Sequence, residues 1–90
     1  MTEDRETKIK RLKMRSMRRG IKEMDVILSA YADRHLAGLS NDDLVIYDAL
    51  LSENDHDIFG WVTGKEQAPA AYAGIMSDVV ALASGLTRPR

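Results

Sequence analysis

The chain has 90 residues, 13 Lys and Arg against 14 Asp and Glu, and no Cys. This excludes a disulfide framework and a thiolate metal site, and leaves a single small domain able to bury about 60–65% of its unfolded surface. The net charge of −1 hides a segregation: residues 1–24 carry nine basic against four acidic residues, residues 25–90 four against ten. Such a basic head can bind nucleic acid, an anionic membrane, an acidic protein surface, or the acidic half of its own chain.

In chain order, the first helix is predicted over about residues 4–18, with Ile9, Leu12, Met14 and Met17 as a thin apolar stripe that docks softly and leaves Lys10, Lys13 and several Arg in water. Gly20 then separates the basic pattern from an amphipathic one. Ile21, Met24, Leu28 and Tyr31 recur at three- and four-residue spacing, with Ile27 beside them, so the second helix, over about residues 21–35, is the expected core element. Gly38 ends it. Ser40 is an N-cap for a third helix bearing Leu44, Tyr47, Leu50 and Leu51. Asn54 or Asp55 caps a short fourth, with Ile58, Phe59, Trp61 and Val62, which Gly64 stops. Pro69 suits the first turn of a fifth, whose stripe is Tyr72, Ile75, Met76, Val79, Leu82 and Leu86. No strand pattern occurs. The fold class expected is all-α: one compact five-helix bundle, with residues 1–6 and 87–90 as flexible tails.

Little in the chain points to catalysis. Asp55, Asp57 and Glu66 nearly fit a calcium loop, but Phe59 stands where an oxygen ligand is usual. His35 and His56 are the only histidines and lack helical ligand spacing. Gly64-Lys65 lacks the spacing and the Ser/Thr of a P-loop, and no nucleophile has an attendant base. Trp61, with Phe59 and Val62, is expected in the core, with a hot spot on a partner surface as the alternative.

The junction Arg18-Arg19-Gly20-Ile21-Lys22-Glu23 admits two readings. In one it is punctuation: Gly past a helix end in a left-handed turn, Arg at a C-terminal dipole, and Glu23 in a first helical turn or paired with Arg19 four residues before it. In the other it resembles the Arg-Gly-x-x-Glu signature of the succinate dehydrogenase assembly factor family. Leu50-Leu51, the acidic stretch Glu53-Asn54-Asp55-His56-Asp57 and the aromatic Phe59 and Trp61 are similar to that family's second marked stretch, at about the right distance downstream. The resemblance spans roughly residues 11–83.

That resemblance implies a non-enzymatic interaction protein. It would bind the flavoprotein subunit of succinate dehydrogenase, and of fumarate reductase in some settings, and promote covalent attachment of FAD to it. Arg19 would pair with an acidic or carbonyl group on the partner, Glu23 with a basic or amide donor, Gly20 would permit close backbone approach, and Arg18 would steer. FAD would not be held by this chain, which lacks a Gly-rich dinucleotide fingerprint, and the free factor would be a monomer. The rival is a nucleic-acid-binding module using the first helix, against which stand the near-neutral charge and the lack of aromatics among the N-terminal Lys and Arg. No apolar run reaches the eighteen or so residues of a membrane span, so no membrane insertion is expected. Glu3, Asp4 and Glu6 oppose a transit peptide, which points to a bacterial cytoplasmic protein or an already processed form, with the bacterial cytoplasm as the expected location.

Overall fold

Asp4 caps the first helix by accepting the Thr7 backbone N–H at 2.7 Å, satisfying one of the free donors at a helix start. A computed structural model describes residues 3–87, of residues 86 and 87 the backbone alone. From this cap α1 runs over Arg5–Arg15. It stops three residues short of the predicted end. The Ser16 hydroxyl turns back to the Leu12 carbonyl at 2.8 Å and shares a 2.6 Å hydrogen bond with the Tyr47 hydroxyl, and Arg18 then takes a left-handed φ of 55°. Burial pushes the Tyr47 hydroxyl up to about 12, against the lowering effect of its bond to Ser16.

The apolar stripe expected on α1 is narrower than its sequence suggests. Leu12 is fully buried and Ile9 partly so, but Met14 and Met17 are 73% and 51% exposed. Arginines do much of the docking instead. Arg5 donates to Asn41 Oδ1 at 2.8 Å and to the Ala37 and Leu39 carbonyls, Arg11 bridges Glu3 and Asp48, and Arg15 binds Asp48 and the Ser52 hydroxyl. The basic head is thus partly neutralised by the chain's own acidic half. Each partly exposed ion pair contributes only about 0–1 kcal/mol, against roughly 1.5–3 kcal/mol for the buried Leu12 side chain.

Helix α2, Lys22–His35, is the central element as its periodicity predicted: Met24, Ile27, Leu28, Tyr31 and Ala32 are buried, and it packs on α1, α4 and α5. A 3₁₀ turn, Leu36–Gly38, leads to α3, Asn41–Leu51, where the Ser40 hydroxyl accepts the Asp43 N–H at 3.0 Å. Asn54 caps α4, Asp55–Val62, and Gly64 ends it at φ +80°, a conformation that favours Gly. Pro69 opens a 3₁₀ turn, Ala70–Tyr72, that runs into α5, Ala73–Thr87. The inner face of α5 is Ile75, Met76, Val79 and Ala83, with Leu82 partly buried. Leu86's side chain and residues 88–90 lie outside the described residues, whereas Thr87, placed in the expected tail, belongs to α5. Five helices and no strand among the described residues agree with the predicted fold class.

Candidate partner-binding site

The α1–α2 connection, residues 16–21, carries the motif. Its shape follows from which polar groups find partners inside the chain. Arg18 is exposed and makes no hydrogen bond or ion pair to another described residue. Arg19 does the reverse. Its Nε donates to Asp55 Oδ1 at 2.8 Å, Nη1 to the Arg15 carbonyl at 3.0 Å and Nη2 to the Leu51 carbonyl at 3.1 Å, leaving the side chain only 11% exposed. Arg19 therefore pairs with neither Glu23 nor solvent; α2 begins too late, at Lys22, to bring positions 19 and 23 onto one helical face.

Gly20 donates its backbone N–H to the other Asp55 oxygen, Oδ2, at 2.6 Å. The left-handed conformation expected at Gly20 sits two residues earlier, on Arg18. What Gly20 provides is close approach: a Cβ there would stand 3.1 Å from Asp55 Oδ2, tighter than ordinary contact. Its remaining surface is exposed.

Glu23 is in the first turn of α2, exposed, where the helix dipole favours an anion, and its carboxylate has no hydrogen-bond or ion-pair partner among the described residues. It stands at the edge of an open groove of about 420 Å³ between α2, α4 and α5, lined further by Ile27, Phe59, Val62, Thr63, Val80, Ala83 and Ser84. Arg18, Gly20 and Glu23 thus present outward while Arg19 is turned in. The arrangement offers a backbone surface, one cation and one carboxylate beside an apolar wall. It supplies no nucleophile and base in contact.

The calcium-like spacing does not form a loop, since residues 55–62 are α4 and the Asp55 carboxylate is already engaged. Among the described residues no group of three His, Cys, Asp or Glu gathers to hold a metal. His35 stacks on Tyr31 at 4.7 Å, and the exposed His56 uses its backbone N–H to close the Asn54 cap. Trp61 is partly buried against the core, its ring 5.9 Å from that of Tyr72, whose hydroxyl donates to Glu53 at 2.7 Å. Asp55 is the site residue that sequence reasoning missed. Its place in the acidic stretch, 36 residues after Arg19, was the available signal, but a cap role and a calcium spacing accounted for it locally.

Residues 10–82 match the family model described as flavinator of succinate dehydrogenase. A protein of Mycosarcoma maydis named succinate dehydrogenase assembly factor 2, mitochondrial, is 43% identical over 72 residues, 80% of this chain and 30% of that protein. The protein of the same name from Meyerozyma guilliermondii is 51% identical over 61 residues, 68% of this chain and 45% of the relative. One from Drosophila mojavensis, named succinate dehydrogenase assembly factor 2-B, mitochondrial, is 38% identical over 69 residues, 74% and 44% of the two chains. The chain therefore spans less than half the length of each of these relatives. The expectation of a bacterial cytoplasmic protein is overturned, because these relatives are eukaryotic and named mitochondrial. The acids that opposed a leader have local structural work: Asp4 caps α1 and Glu3 binds Arg11. Both motif stretches fall within the matched residues 10–82, and the fold joins them at Asp55; the chain belongs to the succinate dehydrogenase flavinator family.

Proposed function

We propose that this protein is a non-catalytic assembly factor that binds the flavoprotein subunit of succinate dehydrogenase and promotes covalent attachment of FAD to that subunit. The family match over residues 10–82 carries this reading. Attachment needs a nucleophile on the partner and an ordered flavin site, and a small helper contributes by binding the productive conformation of the partner better than the others. Arg18, Gly20 and Glu23 are the surface offered for that contact, with the apolar groove beside Glu23 as its continuation. FAD stays with the partner. The nucleic-acid reading loses support because Arg5, Arg11, Arg15 and Arg19 are engaged within the chain.

The test is a flavin-free flavoprotein subunit incubated with FAD, with and without this protein. Flavin fluorescence on the denatured subunit reports the covalent bond. Faster attachment with the protein present is expected; equal rates, together with no co-purification of the two chains, would overturn the proposal.

A further inference from the structure

The arginine of the motif and an aspartate from the far side of α3 in the chain are joined through one carboxylate. Asp55, the first residue of α4, is 16% exposed, and its two oxygens divide the work: Oδ1 takes the Arg19 guanidinium, and Oδ2 takes the Gly20 N–H. The same guanidinium also ties off carbonyls at the end of α1 and the end of α3. Three helices and the loop thus meet at one ion pair. Among the described residues, the bonds of Arg19 and Gly20 are the hydrogen bonds that tie residues 18–20 to the bundle, since Arg18 makes none and sits at an unfavourable φ.

Building on the proposed function, we infer that Asp55 and Arg19 form a latch that holds the Arg18-Gly20 loop in its partner-binding conformation, so that both are positioning residues and Arg19 does not itself touch the flavoprotein. The charge-assisted bonds to Asp55 are of the kind that fix geometry strongly, and the low exposure of both side chains shields them from water. If loss of the latch leaves the loop correctly placed only about a tenth of the time, affinity falls about tenfold although no contact residue has changed.

The experiment uses the full chain and the flavin-free flavoprotein subunit as probe. Arg19→Gln, Asp55→Asn and the double variant are compared by dissociation constant, circular dichroism and the proton shift of the Gly20 amide. The double variant covers the case in which Asp55→Asn, which strands the Arg19 charge, unfolds the chain. The expected result is about tenfold weaker binding in each folded single variant, an upfield move of the Gly20 amide in Asp55→Asn, where a neutral amide replaces its carboxylate acceptor, and a double variant no weaker than the worse single one. Asp55→Glu should restore part of the affinity. Losses that multiply in the double variant would show that Arg19 contacts the partner independently, and wild-type affinity in Asp55→Asn or in the double variant would remove the latch; either overturns the inference. Failure of the wild-type chain to bind the subunit would instead strike the proposed function, and the inference with it.

Discussion

Substitution at Gly20 separates what the fold requires from what the partner requires. The methyl group introduced by Gly20→Ala would lie 3.1 Å from Asp55 Oδ2, a few tenths of an ångström inside ordinary contact, and the Gly20 N–H bond to that same oxygen is short at 2.6 Å. Lengthening this bond to about 2.9 Å relieves most of the overlap and keeps a normal hydrogen bond. The cost is a fraction of the roughly 1 kcal/mol of such a bond, and is offset by the smaller unfolded-state entropy of Ala, about 0.4–1 kcal/mol. Since Gly20 is not in the left-handed region, no backbone strain is added. Gly20→Ala should therefore melt within about 5 °C of wild type. Gly20→Arg has the same Cβ and an exposed exit for the rest of its side chain, so it too should stay folded. Its bulk and charge would nevertheless cover the exposed backbone offered to the partner. The expected outcome is near-normal thermal melting for both variants, with partner binding and covalent flavin abolished in Gly20→Arg and largely kept in Gly20→Ala. Loss of more than about 2 kcal/mol in Gly20→Ala would refute the soft contact with Asp55. Full flavin attachment supported by folded Gly20→Arg, in cells lacking the wild-type factor, would refute the placement of the partner surface.

At Arg18, a β-branched residue should suffer at φ 55° while Gly should not: Arg18→Val is expected to melt lower than Arg18→Gly by the equivalent of about 1–2 kcal/mol, and equal melting would contradict the left-handed turn. The Arg11 hydrogen bond, aided by the Arg15 charge, holds the Asp48 carboxyl below its ordinary value of 3.8. Its stabilising effect is therefore complete above that ordinary value and is lost as pH falls from there through the lowered one; Asp48→Asn should show a smaller drop in melting temperature than wild type between about pH 5 and about pH 3, and an equal drop would show that the pair contributes nothing. Glu23→Arg should lose about 0.3–1 kcal/mol of stability through the helix dipole and far more in partner affinity; full affinity in the folded variant would remove Glu23 from the contact surface.

The helices were legible because their signals are local. Ser40 and Asn54 cap where short polar residues precede apolar periodicity, Gly64 terminates α4 at positive φ, and the three- and four-residue spacing in α2 names its buried face directly. The failures share a cause, which is that a side chain's neighbour in space overrode its place in the pattern. Met14 and Met17 continue the apolar count of α1, yet the helix ends at Arg15, just before the Ser16 hydroxyl that meets Tyr47, 31 residues away, and the left-handed turn at Arg18. The arginines of α1, expected in water, find Asn41 and Asp48 on α3. Periodicity carries no information about such long-range polar partners.

The motif shows the same limit more sharply. Residue types alone make Gly20 a turn glycine, since Gly after a basic helix end commonly supplies a left-handed cap. The chain places that conformation on Arg18 instead, and keeps Gly20 bare so that its N–H can reach Asp55. This rearrangement changes what each motif residue is available to do. An arginine that satisfies Asp55, Arg15 and Leu51 has few donors left for a partner, whereas a carboxylate at position 23 with no partner among the described residues, next to an apolar groove, remains open to a cation from outside. Recognition by this surface should accordingly depend on backbone shape at Gly20 and on charge at Glu23. The salt sensitivity of partner binding should then be reduced by Glu23→Gln and left almost unchanged by Gly20→Ala.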